Sequence, residues 1–178
     1  MNSSLPRLRR HLASAIFVAG LLAMPVVAQT NDTVLSVGGS VEQSLTLSLP
    51  DLQAMPRVTV KAQEKGGGEA TFEGVALYEV VMRAKPKLTP HCCSNAVNTV
   101  VVVKAADNYQ AAFSLPELDP KFGKHNIVVA DRRDGQPLDA SKGPLEIIVP
   151  DDKVYSRWVR QAGFIEVLPV GQLPSAIK

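Results

Sequence analysis

Apolar and polar residues alternate along several short stretches of this chain, and the period-two pattern predicts strands. Residues 34–37 and 41–47 flank Gly38-Gly39 as a hairpin, with leucines recurring at Leu45, Leu47 and Leu49. Ser48-Leu49-Pro50-Asp51 places a hydroxyl three residues before a carboxylate. That spacing caps a short helix running to about Met55, where Pro56 stops it. Residues 58–60 return to strand. Three glycines within 65–69 make a flexible loop, and after Thr71-Phe72-Glu73-Gly74-Val75 the period changes over residues 76–84. There Leu77, Val80 and Val81 share one helical face.

Residues 86–98 are polar and turn-rich, and they precede a run of valines over 99–103 that reads as a buried strand. Asp107-Asn108 turns the chain into a returning strand over 109–113. Ser114-Leu115-Pro116-Glu117 then repeats the earlier capping pattern, the one internal similarity in the chain. Residues 127–130 and 145–149 predict two more strands, separated by a turn over 131–137 that holds Asp134-Gly135 and Pro137. Residues 157–161 extend into a last strand over 164–168, and 169–178 form a tail. Six or more strands with two or three short helices predict a mixed α+β domain, neither a bundle nor a doubly wound sheet.

The N-terminus carries a different signal. Arg7, Arg9 and Arg10 precede an uncharged apolar run over 12–27 that ends in small residues, and this reads as a signal peptide over 1–28. The run is shorter than the ~20 residues that span a bilayer. Arg9-Arg10 lacks the Ser or Thr that usually precedes a twin-arginine pair, which favours export of the unfolded chain. The leader removes three of 19 basic residues and no acidic one, leaving 16 against 17. The expected product is a periplasmic or secreted domain over 29–168, free of the membrane after cleavage. Near-neutral charge argues against nucleic acid as a partner. A domain this long buries roughly 70% of its unfolded surface, so neither a metal nor a disulfide is needed for folding.

Candidate chemistry is sparse. Cys92-Cys93 follow His91, and in an oxidising compartment they have three routes: a strained ring, a link between chains, or soft ligation of copper or zinc with His91. No spaced second pair completes a tetrahedral set, so none of the three is assigned as a metal ligand. The triple glycine lacks the Lys-Ser/Thr of a phosphate loop, and neither a Gly-x-Ser-x-Gly elbow nor a His-Glu-x-x-His helix is present. Asp151-Asp152 reads as a solvated turn. Lys153, Arg157 and Arg160 surround the sole tryptophan, Trp158, and together are candidate ligands for a phosphate-bearing group. The i, i+3 arginines converge in a turn but diverge on a strand.

In order and spacing these segments resemble the molybdopterin-binding domain of the sulfite oxidase family, in a small exported form, over most of residues 34–168. The resemblance rests on Phe72-Glu73-Gly74-Val75-Ala76-Leu77, on residues 106–111 with Phe113-Ser114-Leu115-Pro116-Glu117-Leu118, and on 131–138. It continues through Gly143-Pro144 to Pro150, then through Arg157-Trp158-Val159-Arg160 to Ile165-Glu166-Val167. It implies a sheet-rich α+β fold that cradles a pyranopterin, with molybdenum held by a dithiolene and one cysteine thiolate. The family's cysteine follows the strand matching 57–60, but Lys61-Ala62-Gln63-Glu64-Lys65 holds no thiol. Asp151 and Tyr155-Ser156 also stand where the family has glycines. The cofactor is therefore expected to be absent, or bound without cysteine-ligated molybdenum. The expected role is a non-catalytic module for a small ligand or a periplasmic protein, its pocket bordered by loops 61–68, 91–93 and 151–160. The alternative is a functional molybdenum-cofactor oxidoreductase.

Overall fold

Ten strands and three short helices form in the computed structural model, which describes residues 32–88, 96–123 and 126–170. Two sheets divide the strands. The first contains β1 (Thr33–Gly39), β2 (Leu45–Ser48), β5 (Thr99–Ala105), β6 (Gln110–Ser114) and β10 (Ala162–Pro169), in the order β2-β1-β10-β5-β6. The C-terminal strand thus lies at the centre of that sheet, parallel to β1 and antiparallel to β5. The second sheet runs β3-β4-β7-β8, from β3 (Arg57–Gln63), β4 (Glu69–Ala76), β7 (Val128–Arg133) and β8 (Gln136–Pro137). Strand β9 (Glu146–Ile148) adds to β7. The described residues form one compact unit, a sheet-rich α+β domain as the strand pattern predicts.

Local chemistry sets the helix starts. Ser48 Oγ accepts from the Asp51 amide at 3.3 Å, while Asp51 accepts from the Ser48 amide at 2.9 Å, which caps α1 (Leu49–Gln53). Ser114 and Glu117 build the same box at the start of α3 (Leu115–Leu118). Helix α2 (Leu77–Arg83) buries Leu77, Val80 and Val81, the face read from its period. Its terminal carbonyls are met from outside, because the amides of Glu42 and Gln43 donate to Lys85 and Ala84. Hence residues 41–44 do not extend the hairpin strand, contrary to the pattern, and β2 begins only at Leu45.

Strand β4 has no counterpart in the strands expected from the sequence. Gly74 interrupts its alternation, yet the position demands glycine: a Cβ there would lie 2.0 Å from the Val129 carbonyl oxygen of β7. The register shifts beside it, between Glu73 and Gly74. Strand β7 also runs to Arg133, so the turn expected over 131–137 contracts to Asp134-Gly135, both with positive φ (50° and 75°). Residues 157–161 are not one extended run. Tyr155–Arg157 make a 3-10 turn, and Gln161 takes φ 48° before β10 starts.

One large apolar cluster joins both sheets, with Val37, Val101 and Ile165 from the first and Val75, Val129 and Ile147 from the second. A smaller cluster gathers Phe72, Val128, Ala130 and Ile148. Trp158 packs against both and makes a T-shaped contact with Phe72 at 5.5 Å between ring centroids.

Candidate functional site

Where the β3–β4 turn, the β5–β6 turn, the approach to β9 and the 149–160 segment come together, they enclose a cavity of about 710 Å³. That volume falls within the roughly 300–1,000 Å³ typical of small-ligand sites. Glu64 and Lys65 come from the first turn, Asp107 and Tyr109 from the second. Lys142 precedes β9 and Glu146 begins it, and Val154, Tyr155, Ser156, Trp158 and Arg160 complete the wall.

The glycine loop shapes the first turn. Gly66 and Gly67 take φ values of 121° and 92°, which lets Glu64 exchange backbone hydrogen bonds with Gly67 and Gly68. The Glu64 side chain then accepts from Lys142 Nζ at 2.8 Å and from Arg133 Nη2 at 2.5 Å. Burial opposes its ionisation, but these two cations outweigh burial and hold its carboxyl below the usual carboxylate range. Lys142 therefore faces the cavity already paired.

Glu146 is in the opposite condition. Its side chain is 2% exposed, its Oε2 has no hydrogen-bond partner among the described residues, and its Oε1 meets Arg160 Nε only at 3.7 Å. Burial pushes its carboxyl pKa up against the pull of Lys142 and Arg160, with Glu64 and Asp139 adding to the rise. The sequence carried a signal for it, a single charge inside the apolar run 145–149.

Aromatic rings form the remaining wall. Trp158 Nε1 donates to the Val149 carbonyl at 3.1 Å, and the ring makes T-shaped contacts with Phe72 and Tyr155 at 5.5 and 5.2 Å between centroids. The Tyr109 hydroxyl donates to the Ser156 carbonyl and ties the β5–β6 turn to the 155–157 turn.

The sequence-predicted site residues separate. Arg160 lines the cavity. Arg157 does not: its Nε and Nη2 donate to Asp152 at 2.8 and 2.6 Å, its Nη1 donates to Glu117 at 2.6 Å, and its guanidinium lies 5.3 Å from the Phe113 ring centroid. Asp152 foremost, then Glu117, raise its pKa further. Asp152 is thus a partner of Arg157 rather than a purely solvated residue. Lys153 is exposed and stands outside the cavity wall. The turn at 155–157 therefore does not make the two arginines converge. His91, Cys92 and Cys93 lie outside the described residues. Among the described residues no three His, Cys, Asp or Glu side chains group as metal ligands, and no helix is long and apolar enough to cross a membrane. Of the loops expected to border the pocket, 61–68 and 151–160 contribute lining residues. Lys142, Glu146 and Tyr109 were not anticipated.

Comparison with known proteins accounts for the architecture. In fold the chain is similar to the sulfane dehydrogenase SoxCD from Paracoccus pantotrophus, with a TM-score of 0.60 and 19% identity. The similarity covers 77% of this chain but only 38% of that one. No curated protein matches. The family model for the oxidoreductase molybdopterin binding domain matches residues 22–169, and the chain belongs to that family.

Proposed function

We propose that this chain is an exported, non-catalytic binding module on the molybdopterin-binding fold, taking a small ligand or periplasmic partner in the cavity beside Trp158. The observation that carries this reading is the make-up of the wall. It offers carboxylates, ammonium and guanidinium groups and aromatic rings, and no thiol among the described residues. A protein thiolate is the soft ligand the family resemblance implies for molybdenum after the strand matching 57–60, and there the chain supplies Lys61-Ala62-Gln63-Glu64-Lys65. Cys92 and Cys93 are its sole cysteines.

The wall also fits an anionic pterin phosphate poorly. Arg157 is consumed by two carboxylates and Lys142 by Glu64. Glu146 adds a buried, under-compensated carboxyl, and Tyr155 and Ser156 put side chains where the family has glycine. No catalytic step is derived through the cofactor.

Metal and pterin analysis tests the reading. Protein purified from a molybdenum-sufficient host should contain no stoichiometric molybdenum, and its oxidised extract should lack pterin fluorescence. Close to one molybdenum per chain would establish the family's oxidoreductase chemistry here and overturn the proposal.

A further inference from the structure

We infer that the cavity binds a small organic cation with an apolar or aromatic body, its nitrogen held by the free oxygen of Glu146. This deepens the proposed function and rests on the cavity being a ligand site. The first observation is the orphaned Oε2. Buried polar atoms in folded proteins are nearly always partnered, and each exception calls for an explanation, a bound group among them. Glu146 is 2% exposed, lines the cavity and leaves that oxygen unused.

The second observation is how little the neighbouring charges do for it. Lys142 is engaged with Glu64 at 2.8 Å, and the nearer cation, Arg160, is 61% exposed and stands off at 3.7 Å. Burial still dominates the carboxyl's titration despite both cations. A positive nitrogen brought to Oε2 would therefore relieve a desolvated charge, the circumstance in which a new ion pair gains most. An anion placed on Arg160 would only replace water around an exposed guanidinium, which gains little.

The third observation is the aromatic part of the cavity wall. Trp158, Tyr155 and Tyr109 present aromatic surface to the same space. Aromatic faces attract cations through the ring quadrupole and also remove the apolar body of a ligand from water. A carboxylate and aromatic rings lining one cavity select for positive charge joined to an apolar group. Oε2 is closed to solvent in the free protein, so binding requires a side-chain shift, and Arg160, exposed and 3.7 Å from the other oxygen of Glu146, has room to make it.

Trp158 is the sole tryptophan, so its emission reports the site directly. The full chain is titrated with benzamidine, a planar aromatic cation, with its neutral isostere benzamide, with benzoate, and with inorganic phosphate. Benzamidine should saturate and bind at least about tenfold more tightly than the other three. Glu146→Gln should cost about tenfold or more in benzamidine affinity, and Arg160→Gln should raise that affinity about threefold by removing a like charge. Because Arg160 is exposed, that second variant decides the matter should Glu146→Gln fail to fold. Tighter binding of benzoate or phosphate, no saturable benzamidine signal, unchanged affinity in folded Glu146→Gln, or weaker binding in Arg160→Gln would each overturn the inference. Molybdenum content of the same preparation separates the two failures. Molybdenum-free protein that ignores benzamidine sinks only the cation assignment, whereas stoichiometric molybdenum sinks the non-catalytic reading.

Discussion

Replacing Glu146 with methionine should stabilise the protein at neutral pH, although the substitution removes a buried charged side chain from the first position of a strand. The two side chains are unbranched and similar in length, so the site is neither emptied nor overfilled. What is lost is a buried carboxyl with one orphaned oxygen and one loose contact to an exposed arginine. An unsatisfied buried polar group costs about 1–3 kcal/mol. The contact with Arg160 contributes at most about 1 kcal/mol, since its partner is largely in water. The net gain should be about 1–2 kcal/mol, or about 3–6 °C in Tm for a domain of this size. The gain must also depend on pH in a definite direction. Burial raises the folded-state pKa above the ordinary value of 4.5, so the unfolded chain releases its proton first. Below 4.5 the carboxyl is neutral in both states and its contribution to stability is fully present. That contribution is lost as pH rises through the interval up to the raised folded pKa. The advantage of the variant should therefore be small near pH 4, grow through that interval, and level off above it. Lys142, Arg160, Glu64 and Asp139 act on the group and are present in both proteins, so subtraction largely removes what they contribute independently of it. Urea denaturation of both proteins from pH 4 to 8 measures the difference. A variant destabilised by more than about 1 kcal/mol at pH 7, or a pH-independent difference, would refute the reasoning.

Two further perturbations test the scaffold. Gly74→Ala should cost about 3 kcal/mol or more and lower the yield of folded protein, because its Cβ would meet the Val129 carbonyl at 2.0 Å, while Gly163→Ala, which meets nothing within 4 Å, should change the urea midpoint little. Arg157→Leu strands Asp152 and Glu117, so it should cost about 1–3 kcal/mol by urea denaturation with an unchanged m-value, and it should red-shift Trp158 emission as the 149–157 segment loosens.

The features legible in the sequence were those whose partners lie close along the chain. The capping boxes of Ser48 with Asp51 and Ser114 with Glu117 span three residues, and the Asp134-Gly135 turn spans two. The valine run 99–103 needs no partner to be recognised as a strand. Strand β4 was hidden because Gly74 breaks the alternation, and the reason for that glycine, the close approach of β7, is invisible without the sheet. The site was hidden for the same reason at longer range. Arg133 and Lys142 reach Glu64 across 69 and 78 residues, and Glu117 reaches Arg157 across 40. Three cations attractive as phosphate ligands in the sequence therefore differ in the structure: Arg157 is internally neutralised, Arg160 lines the cavity, and Lys153 faces water. Glu146 was available as an anomaly, one charge among Leu145, Ile147, Ile148 and Val149, but its isolation from a cation emerges only with the fold.

These pairings explain how the scaffold and the cavity wall can vary separately. Strand register depends on Val101, Val129, Ile147, Ile165 and their neighbours, which lie in the shared core and not on the cavity wall. Wall residues come from turns and strand ends, where a substitution changes what the cavity attracts without moving a hydrogen-bond ladder. Glu146 is the exception, since it belongs to β9 and to the wall at once. If its carboxyl served the scaffold, removing it should weaken the fold and leave binding to other groups. If it serves a ligand, Glu146→Met should make the protein harder to unfold and at the same time abolish benzamidine binding, the opposed changes expected where a buried charge is kept at the expense of stability.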